Sequence, residues 1–117
     1  MDASTPESSP CHFRILTLFP DMIRQAAAHS IIERACTAGL LDIKAVDIRD
    51  WTFDRHKTAD DQPFGGGPGM VMKPEPVAGA IKAMKAELPG ALVVLMSASG
   101  RMFDQQTAAR YAAHKEG

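Results

Sequence analysis

FRILTLFPDM, residues 13–22, decides how the rest of the chain is read. Its first seven residues are dense in branched and aromatic side chains, the composition of a β-strand. Pro20-Asp21 then turns the chain, and Met22, Ile23, Ala26 and Ala27 recur at helical spacing. A strand that feeds directly into a helix opens an α/β arrangement, and the remaining segments are read against that start.

Ser30-Ile31-Ile32-Glu33 has the form of a capping box, in which the serine oxygen accepts from the Glu33 amide. Two short helices are therefore expected, broken near His29 and Ser30, with Ile31, Ile32, Ala35 and Cys36 on the second buried face. Gly39 suits the stop, where a positive φ is needed. LDIKAVDIRDW, 41–51, reads as a second strand: Leu41, Ile43 and Ala45 share one face, Val46 and Ile48 the other. Burial on both faces fits an inner strand of a covered sheet. Pro74 to Leu88 reads as a third helix with the stripe Val77, Ala80, Ile81, Met84 and Leu88, Pro76 tolerated in its first turn, and Pro89-Gly90 ending it. ALVVLM, 91–96, is a nearly continuous apolar run of the buried parallel-strand kind. Ser97-Ala98-Ser99-Gly100 is a loop, and Asp104 caps a last helix carrying Ala108, Ala109, Tyr111 and Ala112. The alternation predicts an α/β layered fold with a mainly parallel sheet. The last helix has no following strand to return to, so the domain is expected to continue past the sequence.

Composition sets outer limits. The chain has 117 residues, 45% of them hydrophobic, about one domain with enough apolar residues for a core. A net charge of −1 neither points to nucleic acid nor excludes it, because local patches matter more than the sum. No apolar run approaches the roughly 20 residues of a membrane span. MDASTPESSP lacks the basic and apolar regions of a secretory signal, so residues 1–12 read as a disordered leader. Two cysteines without a metal spacing, Cys11 and Cys36, suit a reduced, cytoplasmic protein.

The unusual stretch is DRHKTADDQPFGGGPGM, 54–70, a charged run leading into Gly65-Gly66-Gly67-Pro68-Gly69. Consecutive glycines allow backbone conformations closed to other residues, so amides can point at an anion or a flat ligand. Arg55 and Lys57 could hold phosphate; Asp60 or Asp61 could accept a proton or orient an amine. A mobile connection with a solvated charged face accounts for the same composition. The stretch is neither a P-loop, since Met70-Val71-Met72 follow the glycines, nor a dinucleotide fingerprint. His56 with Asp54, Asp60 and Asp61 supplies metal-ligand types without tight spacing, and no metal site is assigned. LMSASG, 95–100, is the second candidate, because open α/β sheets bind ligands beyond the carboxyl ends of their strands.

LFPDM (18–22), the whole of 54–70, and a strand ending in Leu-Met-Ser before a glycine together resemble the N-terminal half of the bacterial tRNA (guanine-N1)-methyltransferase family. The resemblance covers about residues 13–117. It implies a SPOUT-type α/β domain, here truncated before its trefoil knot. It also implies a homodimer that moves a methyl group from S-adenosylmethionine to N1 of the guanine 3′ of the tRNA anticodon, with magnesium implicated. The family's catalytic aspartate and arginine belong to its C-terminal half, so no catalytic residue is expected in this chain. The family's Gly-Arg-Tyr-Glu-Gly segment, which begins the knot, is absent.

Carried over by position, the family's adenosyl-contacting Tyr-Leu-Ser-Pro loop becomes Leu95-Met96-Ser97-Ala98. Only the serine is kept in type, and the loop loses the stiffness of proline. His56, Asp60, Pro68 and Gly69 match positions that line the family's active-site region, and Arg55 joins them as a tRNA-facing residue. Ala59 stands for the usual valine, and Gln62 stands where arginine is common. The alternatives are a non-catalytic RNA-binding or dimerisation fragment and an unrelated anion-binding α/β domain.

Overall fold

The first strand begins earlier than the sequence pattern predicts. In the computed structural model, β1 spans Cys11–Thr17, so the expected leader overlaps its first two residues. The structure describes residues 10–52, 60–61 and 71–114, with only the backbone of 60, 61 and 71. β1 ends where the Thr17 hydroxyl accepts a hydrogen bond from the Phe19 amide at 3.0 Å. That bend delivers Pro20 to the first turn of α1, Pro20–Ala27, where its missing N–H costs nothing and its fixed φ is already helical.

α2, Ser30–Thr37, starts differently from expectation. Its N-cap is His29, in extended backbone, and no side chain caps it. The Glu33 amide donates to the His29 carbonyl at 3.3 Å, and Ser30 takes a φ of +59°. The left-handed turn at Ser30 removes the serine from the geometry a capping box needs. The end of α2 follows the sequence closely. Gly39 has a φ of +79°, and its amide donates to the Cys36 carbonyl at 3.1 Å while the Leu40 amide donates to Ala35 at 2.9 Å. These two bonds are a Schellman motif, which satisfies carbonyls the helix leaves open.

β2, Leu41–Asp47, pairs with β1 in parallel from Cys11 opposite Leu41 to Thr17 opposite Asp47. Parallel neighbours need a crossover, and α1 with α2 supplies it. Only part of each helix covers β2. Ile23 and Ala27 of α1 and Ala35 and Cys36 of α2 are half-buried, whereas Met22, Ala26 and Ile32 are exposed. Ile31 is 75% exposed. A two-stranded pair offers too narrow a face to bury both sides of either helix.

The predicted strand 41–51 stops at Asp47. Its carboxylate accepts from the Arg49 amide at 2.9 Å and starts a 3₁₀ turn over Ile48–Trp51. Ile48, in that turn, is only 2% exposed. β3, Asp60–Asp61, and β4, Val71–Met72, pair antiparallel, with Asp60 opposite Met72. α3, Pro74–Glu87, buries Pro76 and Ala80. Val77, Ile81, Met84 and Leu88 beside them are half-buried, as the stripe predicts. Gly79 lets Trp51 lie directly on this helix: a Cβ there would fall 3.1 Å from Trp51 Cδ1.

The apolar run 91–96 is not a strand. Among the described residues the two sheets are β1–β2 and β3–β4, and the run forms no ladder with either. Leu92 to Met96 are 49–87% exposed. The apolar sequence was a sign that the segment suits burial, but a strand also needs a neighbour for its backbone groups, and hydropathy does not carry that information. α4, Gln105–Ala112, begins as predicted: the Asp104 side chain accepts from the Thr107 amide at 2.8 Å.

Gly39 and Ser30 isolate backbone strain from packing. No atom lies within 4 Å of a Cβ built at Gly39, so Gly39→Ala is expected to cost about 1 kcal/mol through conformation alone. Ser30→Gly is expected to cost nothing or to stabilise by up to about 1 kcal/mol. Urea unfolding of the two variants beside the parent chain checks both signs.

Candidate functional site

Parallel pairing of β1 and β2 brings their carboxyl ends to one edge of the sheet, where open α/β sheets receive ligands. At that edge the LFPDM turn meets the end of β2. Arg49 reaches back and donates from Nη1 to the Leu18 carbonyl. The same guanidinium lies 3.8 Å from the Asp47 carboxylate. Arg49 thus holds the β1–α1 turn against the β2 exit. Sequence reading did not single it out. The available signal was Asp47-x-Arg49 at a strand end, where a carboxylate that caps the next turn also orients the basic side chain.

The charged and glycine-rich stretch follows Thr52. Arg55, His56, Pro68 and Gly69 lie outside the described residues. Asp60 is placed by its backbone in β3, paired with β4, so the charged run and the chain leaving the glycines are joined by a short antiparallel ladder.

Leu95, Met96, Ser97 and Ala98 lead into a tight turn. The Gly100 amide donates to the Ser97 carbonyl at 3.1 Å. Ser97 Oγ accepts from the Ser99 amide at 3.2 Å and lies 3.0 Å from Ser99 Oγ. The serine expected at a cofactor contact therefore spends its hydroxyl inside the turn. Ser99 is the residue the sequence reading missed, although serine two places from serine before glycine is a turn signal. Main-chain groups of Leu95, Met96 and Ala98 have no hydrogen-bond partner among the described residues, which leaves them available to the edge of a planar ligand. Among the described residues no three His, Cys, Asp or Glu side chains gather as a metal site.

The most strongly coupled charges lie at the other end of the strands. Asp42 Oδ2 is 2.8 Å from His12 Nδ1 and 3.2 Å from Arg14 Nη2, and Arg14 Nε also donates to Glu87 at the end of α3. The Arg14 side chain is only 7% exposed. Burial alone would lower the Arg14 guanidinium, but its bonds to Glu87 and Asp42 outweigh that and hold it above its ordinary value. The hydrogen bond from His12, then those from Arg14, hold Asp42 below the usual carboxylate range. Arg14 does the same for Glu87. This cluster clamps β1, β2 and α3 together.

Comparison with known proteins shows which family the chain belongs to. A family profile described as tRNA (Guanine-1)-methyltransferase TrmD matches residues 11–116. The chain belongs to this family. It is 52% identical over 105 residues to the tRNA (guanine-N(1)-)-methyltransferase of Desulfatibacillum aliphaticivorans, covering 90% of this chain and 40% of that protein. It is 54% identical over 96 residues to the same enzyme of Geobacter sp. strain M21, covering 82% of this chain and 39% of that protein. The crystal structure of tRNA (m1G37) methyltransferase from Aquifex aeolicus superposes with a TM-score of 0.81 at 27% identity, covering 92% of this chain and 48% of that one. The fold of this tRNA (guanine-1)-methyltransferase family chain is accordingly the SPOUT-type α/β fold. The chain spans about 40% of the length of the curated relatives it matches.

The clamp fixes a pH dependence. Asp42 and Glu87 both have lowered folded-state values, so their stabilisation is present above the ordinary carboxylate range and is lost as pH falls through the lowered values. Both carboxylates are partly exposed, so solvent screening keeps the effect modest. Urea midpoints measured from neutral to acid pH should fall on the acid side, and Arg14→Gln should flatten that fall.

Proposed function

We propose that this chain supplies the N-terminal part, residues 13–117, of an S-adenosylmethionine-dependent methyltransferase that modifies guanine N1 in tRNA at the position 3′ of the anticodon. The observation that carries this reading is the family match across residues 11–116, supported by the shared fold of the Aquifex enzyme.

In this reading the main chain of Leu95, Met96, Ser97 and Ala98 holds the adenosyl group. The groups present suit it: the Ser97–Gly100 turn closes on itself, and the main-chain groups of Leu95, Met96 and Ala98 have no partner among the described residues. Bound S-adenosylmethionine supplies an electrophilic methyl group. Arg55, His56, Asp60, Pro68 and Gly69 line the guanine side or face tRNA. The proton on N1 is taken by a residue beyond those in this chain. Magnesium accompanies the transfer in this reading. The complete enzyme acts as a cytoplasmic homodimer with tRNA as its partner. No helix among the described residues is long and apolar enough to cross a membrane. The 117-residue chain alone neither closes the pocket nor methylates.

A chimera tests the assignment. Residues 11–116 joined to the remaining C-terminal part of the Desulfatibacillum aliphaticivorans relative should produce N1-methylguanine in a tRNA transcript, read by mass spectrometry. Asp60→Asn in that chimera should lower kcat/KM by up to roughly 100-fold, and the isolated chain should bind S-adenosylmethionine too weakly for calorimetry. A folded chimera without methyl transfer, or micromolar binding by the isolated chain, would contradict the reading.

A further inference from the structure

Resting on the assignment of the 95–98 main chain to the adenosyl group, we propose that Lys85 is a positioning residue for that contact: its ammonium sets the direction in which the chain leaves α3. Lys85 lies in the last turn of α3 and is half-buried. Its Nζ reaches past the helix end and donates to the Pro89 carbonyl at 3.1 Å and to the Ala91 carbonyl at 2.9 Å. His114 Nε2 donates to the Gly90 carbonyl between them at 2.7 Å. Side chains thus hold three consecutive carbonyls of the bend. A cation at this point also answers the negative end of the helix dipole.

The backbone alone fixes this direction poorly. Pro89 has no N–H to donate, and Gly90 is conformationally the freest residue type. Across the bend the Ala91 amide donates to the Leu88 carbonyl at 3.0 Å, and the bonds from Lys85 and His114 add the remaining restraint. Ala91 and Ser97 are six residues apart, up to roughly 20 Å of chain. A tilt of about 10° at the bend would move a point that far away by about 3 Å. A misplacement of about 1 Å at a reacting centre can cost roughly 100-fold in rate. The 97–100 turn keeps its shape through its own hydrogen bonds, so Lys85 governs where the turn lies and not how it folds. Lys82, three residues earlier on the same helix, is exposed and carries the same charge without reaching the bend.

Two measurements test this role, one of them independent of methyl transfer. In the 117-residue chain, Lys85→Met keeps the aliphatic stem and removes the donors. Hydrogen exchange of the Ala91 amide should quicken by roughly tenfold, while exchange at Gly100 stays as in the parent. In the chimera with the Desulfatibacillum aliphaticivorans C-terminal part, Lys85→Met should raise KM for S-adenosylmethionine by roughly tenfold and leave KM for tRNA unchanged. Lys85→Arg, which keeps the charge and the donors, should restore most of that loss, and Lys82→Met should match the parent. A parent chimera that transfers no methyl group overturns the assigned function and this role with it. An active parent whose Lys85→Met variant keeps its KM for S-adenosylmethionine, or loses affinity for tRNA instead, overturns the role of Lys85 alone, as does unchanged exchange at Ala91.

Discussion

The arrangement of this chain depends on one close approach, that of Trp51 to the α-carbon of Gly79. The indole ends the 3₁₀ turn that leaves β2, and α3 can sit against it only because position 79 carries no side chain; a Cβ would meet Trp51 Cδ1, Cβ and Cγ at 3.1–3.4 Å. Contacts that close are tighter than ordinary van der Waals packing, so an added methyl would require the indole or the helix to give by a few tenths of an ångström. The fully buried Ala80 and Ile48 lie in the same seam. α3 is the element that carries the chain onward to residues 91–100. The placement of the Ser97–Gly100 turn therefore follows from a glycine on one helix and an indole on the preceding turn. The Arg14 clamp secures the far end of the same helix through Glu87.

What the sequence made legible was local chemistry. The stop at Gly39 follows from the one residue type at ease with positive φ. The α3 stripe follows from helical periodicity, and the Asp104 cap from a carboxylate placed just before a helix. The failures were tertiary. Ser30-Ile31-Ile32-Glu33 has the letters of a capping box, yet the chain enters α2 through a left-handed residue, and no letter encodes that. Ile31 and Ile32 look like core residues in a periodic pattern, but the narrow parallel pair receives only Ala35 and Cys36. ALVVLM reads as a buried strand because its composition asks for burial, while its pairing depends on neighbours distant in sequence.

The site divided along similar lines. The LFPDM turn, the charged glycine-rich stretch and the Leu-Met-Ser turn carried the family resemblance, and the match over 11–116 agrees with it. The hydrogen bonds within those segments were less visible. Ser97 was expected at a ligand contact through its position in a motif; its hydroxyl also shapes the turn with Ser99, a bond no motif announces. Arg49 lay in plain view as one of several arginines, and its bond to the Leu18 carbonyl exists only because parallel pairing brings two strand exits together. A residue type announces which bonds it can make, and topology decides which it does make.

The bend after α3 has a mechanical meaning. Lys85 Nζ donates to the carbonyls of Pro89 at 3.1 Å and Ala91 at 2.9 Å, and His114 Nε2 donates to the carbonyl between them, Gly90, at 2.7 Å. Three successive oxygens are gripped, two by the ammonium of Lys85 in α3 and one by the imidazole of His114 just past α4. The polypeptide from Leu92 to Gly100 is thus a spar bolted at its root. Its root is thereby tied both to the helix before it and to the residue that follows the last helix, so the two helices share one anchor point.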